Sequence, residues 1–118
     1  FWSRESGLPA PLRMDDPAQI AAAHRLRVKM GVPGGQLIGN PIPKDAEISA
    51  EVLAPIIARA QADADAFGIA GKSVTPYLLQ RIFELTEGKS LEANIALVRN
   101  NAKLAAGIAQ HLTNYSAK

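Results

Sequence analysis

Val32-Pro33-Gly34-Gly35-Gln36-Leu37-Ile38-Gly39-Asn40-Pro41-Ile42-Pro43 is the stretch that decides how the rest of the sequence is read. Val32-Pro33-Gly34-Gly35 is a turn, the apolar pair Leu37-Ile38 stands between turn signals, and the prolines at 41 and 43 forbid helix behind it. Such a pair suits a short buried strand of a mainly parallel sheet. A second short strand is expected at Leu12-Arg13-Met14. A parallel strand needs neighbours on both edges and helices on both faces, and the sequence offers almost no other strands. The sheet partners must then lie elsewhere. The pattern predicts the α/β class, as a fragment of a larger α/β protein: mostly helical, with one or two short strands and the helices that cover them.

The flanking sequence supplies four helices. Asp15-Asp16-Pro17 gives a carboxylate N-cap with proline at the first helical position, and predicts a helix over 17–30 that Gly31 ends as a left-handed cap. Ile20, Ala23, Leu26 and Met30 lie on one side of it, Arg25 and Lys29 on the other. Residues 1–12, dense in Gly, Pro and Ser, read as an extended loop. Ser49 caps a second helix that reaches Phe67, with Val52, Leu53, Ile56, Ile57, Ala60, Ala64 and Phe67 as its buried stripe. Pro55 removes a backbone donor inside that helix, so its regular part is expected to start near Leu53 or to kink there. Residues 68–72 form a linker. Thr75-Pro76 starts a third helix with Leu78, Leu79, Ile82 and Leu85 as its apolar face and Gly88 as its stop, and Ser90 caps the longest helix, over 91–112. The polar tail 113–118 is expected to fray. There is no internal repeat and no linker long enough to divide the chain.

Composition bounds the function. The 118 residues carry a formal net charge of +2, are 47% hydrophobic and 20% charged, and include no cysteine. That is at most one small packed domain, with disulfides and cysteine-ligated metals excluded. Aromatics number only six while alanine occupies 21 positions, so space is filled by helices packed closely on small side chains. A domain of this length buries roughly two thirds of the surface its unfolded chain exposes, so a core is possible without staples. The pI near 9.2 comes from 13 Lys+Arg against 11 Asp+Glu scattered in sign, with no phosphate-binding stripe, so no nucleic acid partner is expected. No apolar run approaches the ~18 residues needed to span a bilayer and the N-terminus has no signal pattern, so no membrane partner is expected either. The first residue is Phe1 rather than methionine, from which a processed, trimmed or excised chain is expected.

Few residues are placed for chemistry. On the last helix, 100° per residue puts Asn94, Leu97, Val98, Asn101, Ala105, Ile108 and Leu112 on one face, so two amides interrupt an apolar stripe. An unpaired buried amide costs on the order of 1–3 kcal/mol. Asn101 is read as bonded to neighbouring backbone or water, Asn100 as solvated, and Asn94, nearer the helix N-terminus, either as a ligand contact or as a structural amide. Asn40 follows the expected strand, where ligand crevices of open α/β sheets lie, but Asn-Pro also initiates turns. Ser3-Arg4-Glu5-Ser6-Gly7 could cradle an anion, or be a surface or interface loop, and its spacing matches no phosphate-loop pattern. His24 and His111 each lack a second ligand at i+4, so no metal site is expected; Asp63 and Asp65 diverge on the second helix and read as its solvated face. No catalytic residue is assigned within the chain.

Four blocks carry a resemblance: Phe1-Trp2-Ser3-Arg4-Glu5-Ser6-Gly7-Leu8-Pro9, Gly39-Asn40-Pro41-Ile42-Pro43, Gly71-Lys72-Ser73-Val74-Thr75-Pro76-Tyr77-Leu78-Leu79, and Ser90-Leu91-Glu92-Ala93-Asn94-Ile95-Ala96-Leu97-Val98-Arg99-Asn100-Asn101-Ala102. Together they closely resemble the pseudouridine-5'-phosphate glycosidases, the family that also includes indigoidine-synthase A-like proteins. Pro55 is the one departure noticed. The resemblance implies that residues 1–118 are the C-terminal third of a single catalytic domain, an α/β/α sandwich, cytoplasmic and typically homotrimeric. It implies a reversible split of the C–C glycosidic bond of pseudouridine 5'-phosphate into uracil and ribose 5-phosphate. A lysine forming a Schiff base with the opened ribose, a proton-donating glutamate and an aspartate holding manganese through its waters would all precede Phe1. Lys72 is not a stand-in for that lysine, and the fragment alone is expected to be inactive. Asn94 matches an asparagine facing the ribose or base pocket, and with Asn40 is expected to bind substrate. The competing expectation is a non-catalytic helical module for interaction or oligomerisation, motivated by the apolar faces a lone fragment would expose.

Overall fold

A computed structural model of the chain describes residues 2–113. Phe1 and residues 114–118, which make up nearly all of the tail expected to fray, lie outside the described residues. Four α-helices follow in order: α1 (Pro17–Lys29), α2 (Ala50–Ala66), α3 (Val74–Leu85) and α4 (Lys89–Thr113), with single 3-10 turns at Lys44–Ala46 and Gly71–Ser73. The chain forms two compact units, each discontinuous in sequence. One unites the residues up to Ser6 with Pro41–Leu97; the other unites Gly7–Asn40 with the chain from Val98 onward.

The described residues contain no strand, which corrects both strand expectations. Leu37 is fully exposed, and Leu12 and Ile38 are exposed as well. A ladder needs a neighbouring strand to accept and donate its hydrogen bonds, and the described residues supply none. Segment 36–39 therefore runs as irregular chain. The mainly helical content matches expectation; the strands do not.

In the first unit, α2 starts at Ala50, immediately after Ser49, whose hydroxyl accepts from the Val52 N–H at 3.4 Å. The later start expected near Leu53 is thus corrected. The Ser49 carbonyl already accepts from Leu53 N–H at 3.0 Å, so the first turn is closed before Pro55, whose ring forfeits only the bond to the Glu51 carbonyl. The buried stripe is narrower than expected: Leu53, Ala60 and Ala64 are buried, whereas Val52, Ile57 and Phe67 are exposed.

Thr75 does not cap α3. The 3-10 turn before it already satisfies the Val74 N–H with the Gly71 carbonyl, so the helix starts two residues earlier than a Thr75 cap would allow. Ile82 is buried, and Glu87 (φ 52) and Gly88 (φ 88) turn the chain through the left-handed region after Leu85. Ser90 likewise lies inside α4 and does not cap it. Its N–H donates to the Thr86 hydroxyl at 3.2 Å, and that hydroxyl donates to the Ile82 carbonyl at 2.8 Å, so one buried threonine ties the end of α3 to the start of α4.

Asp63 corrects the expectation of a solvated face. Its side chain is only 17% exposed and bridges α2 and α3, taking Arg59 Nε at 3.0 Å and Arg81 Nε at 2.8 Å. The hydrogen bond from Arg81, followed by that from Arg59, holds its carboxyl below the usual range against the opposing effect of desolvation. Asp65 is exposed, as expected. Ile42, 1% exposed, is the largest fully buried side chain.

In the second unit, α1 forms as its signals predict, with Asp16 Oδ1 accepting from Ala18 N–H at 2.9 Å, Pro17 in the first turn and Gly31 at φ 67. Ile20 and Ala21 are buried, but Leu26 and Met30, expected on the covered side, are exposed. Gly107 of α4 approaches Pro17 so closely that a Cβ there would stand 3.3 Å from the Pro17 ring. Arg25 Nη1 donates to the His111 carbonyl at 2.9 Å.

Candidate functional site

The first unit holds a pocket of about 380 Å³ whose walls include Trp2, Leu79, Phe83 and Leu91, with Gln80, Ser90 and Asn94 as its polar members. The elements that make it come from the two ends of the unit's sequence. The extended start of the chain is anchored to the unit where the Trp2 carbonyl accepts from Ile48 N–H at 2.8 Å. The indole Nε1 of Trp2 then donates to the Ser90 carbonyl at 2.9 Å, 88 positions away in sequence. α3 contributes Leu79, Gln80 and Phe83 at helical spacing, and α4 contributes Ser90, Leu91 and Asn94 from its first two turns.

Asn94 is half-buried in this pocket, and among the described residues its amide has no hydrogen-bond partner. No described buried polar atom is left unsatisfied, so the amide keeps access to water or to a ligand. The pocket's lining carries no charge. Gln80 is partly committed, donating through Nε2 to Glu84 Oε1 at 3.1 Å. That bond, followed by the one from Arg81, holds the Glu84 carboxyl below its ordinary range.

Asn40 is placed otherwise. It belongs to the second unit, where its Nδ2 donates to Asn101 Oδ1 at 3.0 Å beside Ile38, Leu104 and Ile108. The expectation that Asn101 bonds to nearby backbone or water is therefore corrected: an amide 61 positions upstream is its partner. The local pattern hides this pairing, because Asn40-Pro41 after Leu37-Ile38 reads as the end of a strand.

The start of the chain does cradle an anion, and that anion is the chain's own. Glu47 Oε1 accepts from the Arg4 N–H at 2.7 Å and from the Ser3 hydroxyl at 3.3 Å, while the Arg4 guanidinium donates to the Ile42 carbonyl. These bonds fasten residues 2–6 in position to carry Trp2, and Glu47 takes the donors that an external anion would need. His24 pairs with Gln36, Nδ1 to Oε1 at 2.9 Å. Among the described residues no three His, Asp or Glu side chains converge on a metal-binding arrangement. Lys72 is exposed on the 3-10 turn. Sequence reasoning missed Trp2 and Phe83; the only tryptophan of an aromatic-poor chain, beside a polar loop, was the available signal.

The comparisons with known proteins agree with one another. The chain is 70% identical over 112 residues to the pseudouridine-5'-phosphate glycosidase of Roseobacter denitrificans (strain ATCC 33942 / OCh 114), which covers 95% of this chain and 36% of that protein. It is 63% identical over 113 residues to the pseudouridine-5'-phosphate glycosidase of Jannaschia sp. (strain CCS1), covering 96% of this chain and 37% of that one. It thus spans little more than a third of the length of the curated relatives it matches. Among solved structures it superposes on the prealnumycin C-glycosynthase AlnA in complex with ribulose 5-phosphate, with TM-score 0.85 and 29% identity over 98% of this chain and 38% of that one. The family model described as indigoidine synthase A like protein matches residues 1–111, and the chain belongs to that family.

Proposed function

We propose that this chain is the C-terminal part of a pseudouridine-5'-phosphate glycosidase, an enzyme that reversibly splits the C–C glycosidic bond of pseudouridine 5'-phosphate into uracil and ribose 5-phosphate. The 70% identity over 95% of the chain to a protein of that name carries the reading. The likeness to a C-glycosynthase in complex with ribulose 5-phosphate supports a sugar-phosphate substrate. The complete enzyme is an α/β/α sandwich whose sheet comes from the portion outside this chain, a cytoplasmic homotrimer that uses manganese held by that other portion.

The reaction explains the division of labour. A C–C bond to the anomeric carbon has no heteroatom leaving group, so protonation between two carboxylates is ill suited to it. Opening the ribose and condensing it with a lysine supplies an electron sink, and such a lysine needs a desolvated setting. The described lysines, Lys72 included, are all exposed. By the family resemblance the nucleophile, the proton-donating glutamate and the metal-site aspartate belong to the rest of the enzyme, and this chain contributes positioning. Asn94 holds the substrate through an amide that has no partner among the described residues. Asn40, whose amide is already half committed to Asn101, has the lesser part.

Incubating the chain with pseudouridine 5'-phosphate and Mn²⁺ and following uracil release tests the reading. No turnover is expected from the chain alone, and turnover when the complementary portion is co-expressed. Release of uracil by the chain alone would overturn the assignment of the nucleophile; none from the complete protein would overturn the function. Exposed Leu8, Met30, Leu37 and Phe67 favour a second reading, a non-catalytic helical module that packs on a partner or on itself. Sedimentation separates the two, because a self-sufficient module gives a discrete species without the complementary portion.

A further inference from the structure

We propose that Thr86, which does not line the pocket, is a positioning residue for the reaction: its hydroxyl acts through Ser90 to aim the amide of Asn94. This deepens the reading above and rests on it. α4 starts at Lys89, directly after Gly88, which has no side chain to offer the orphan N–H groups of the first turn. Thr86 supplies an acceptor from across the turn, its hydroxyl taking the Ser90 N–H at 3.2 Å. The hydroxyl's own proton goes to the Ile82 carbonyl at 2.8 Å, with the Phe83 carbonyl also within reach at 3.3 Å. One buried oxygen therefore joins the last turn of α3 to the first turn of α4. The backbone bonds that cross the same turn, Gly88 N–H to the Phe83 carbonyl and Lys89 N–H to the Thr86 carbonyl, stop at Lys89. The hydroxyl carries the hold one residue further.

Ser90 is the residue on which the placement of Asn94 depends. In an α-helix each N–H bonds to the carbonyl four residues before it, so the Ser90 carbonyl closes the turn that carries Asn94. Ser90 is 4% exposed and held on both sides, its N–H by Thr86 and its carbonyl by the indole N–H of Trp2. The turn before it makes such a tie useful. Glu87 at φ 52 and Gly88 at φ 88 both lie in the left-handed region, a conformation that costs a glutamate more than a glycine. The Asn94 amide has no partner among the described residues, so the backbone beneath it sets its aim. Misplacing a positioning group by about 1 Å lowers a rate by as much as about a hundredfold.

The test is a double-mutant cycle in the full-length enzyme, with pseudouridine 5'-phosphate as substrate and each variant assayed well below its melting temperature. Thr86→Val keeps the volume, loses the hydroxyl and should lower kcat/KM about fivefold. Thr86→Ser keeps the hydroxyl and should stay within about twofold of the wild type. In an Asn94→Ala background, Thr86→Val should change kcat/KM by less than about twofold while lowering stability as much as it does alone. A bond that only stabilised the fold would lower stability in both backgrounds and leave kcat/KM alone in both. Unchanged kcat/KM in Thr86→Val, no recovery in Thr86→Ser, or an equal loss with and without Asn94 would overturn the positioning role and leave the function standing. An active enzyme indifferent to Asn94→Ala would overturn it too, since Thr86 would have no amide to act through. Absence of turnover in the wild type would sink the function and the positioning role together. Should Thr86→Val not fold, Thr86→Cys, whose thiol is a weak acceptor, takes its place in the cycle with the same expectation.

Discussion

Asn94 and Asn101 are seven positions apart on α4, yet the structure puts them in opposite circumstances. Asn94 is half-buried in a neutral pocket with apolar and aromatic walls and has no partner among the described residues. Asn101 is exposed and bonded to Asn40 at 3.0 Å. An amide whose capacity is met by its own chain serves to hold a segment in place, here the irregular stretch that ends at Asn40. One left open in an apolar wall holds only water until something displaces that water, and its worth is realised on binding. Residue type and helical phase are alike at the two sites; partners separate them.

Removing the two amides should therefore fail in different ways. The largest effect is expected from Asn94→Ala in the full-length enzyme: kcat/KM falls at least about tenfold, the size of one lost hydrogen bond of roughly 1.4 kcal/mol, with the melting temperature unchanged. Unchanged kinetics would make Asn94 a structural amide and erase the contrast. Thr86→Val is next. It removes the buried hydroxyl that takes the Ser90 N–H, and chemical denaturation should show a loss of about 1–2 kcal/mol. Asn101→Ala should cost about 0.5–1 kcal/mol in stability while kcat/KM stays within about threefold; Asn40→Ala should lose about the same stability and, through its lesser part in binding, a few-fold in kcat/KM. In a double-mutant cycle the second substitution should add little to the first, since either one removes their shared bond. A larger kinetic than thermodynamic effect of Asn101→Ala would give Asn101 a part in binding as well.

How far the sequence foretold this depends on the range of the forces involved. Asp16-Pro17 and Ser49 began helices where their capping chemistry placed them, because caps act within three residues. Thr75 and Ser90 carry the same capping chemistry but cap no helix, since the Gly71 carbonyl and the Thr86 hydroxyl meet the donors concerned. Leu37-Ile38 has the local pattern of a strand, but a ladder is a relation between segments, and Leu37 is fully exposed in this chain. The helical wheel singled out Asn94 on α4. It could not supply Trp2, whose indole N–H bonds the Ser90 carbonyl 88 positions away. Sequence patterns thus reported which side chains one helix carries, and the other wall of the pocket came from tertiary structure.

Acid gives the smallest and most diagnostic separation. α3 carries Leu79 and Phe83 of the pocket, and Asp63 ties that helix to α2 through Arg81, with Glu84 on the same guanidinium. The Asp63 carboxyl is held below its ordinary range first by the bond from Arg81, and the Glu84 carboxyl by those from Gln80 and Arg81. For a carboxylate whose folded-state pKa lies below the unfolded one, the stabilisation is complete above the unfolded pKa of about 4 and is lost as pH falls through the folded value. Thermal unfolding of the full-length protein should therefore weaken below about pH 4, and Asp63→Asn should flatten that part of the profile. The shift at neutral pH should be small because Arg59 and Glu84 are largely in water. Asn94→Ala should keep the wild-type acid profile, since its amide does not titrate, and Asp63→Asn should keep the substrate affinity above pH 6 if α2 and α3 are held mainly by their buried Leu53, Ala60, Ala64 and Ile82. An acid slope that survives Asp63→Asn would show that this carboxylate braces nothing. A loss of substrate affinity in the same variant would show that the pocket wall depends on it, and would join a region now read as structural to the one read as functional.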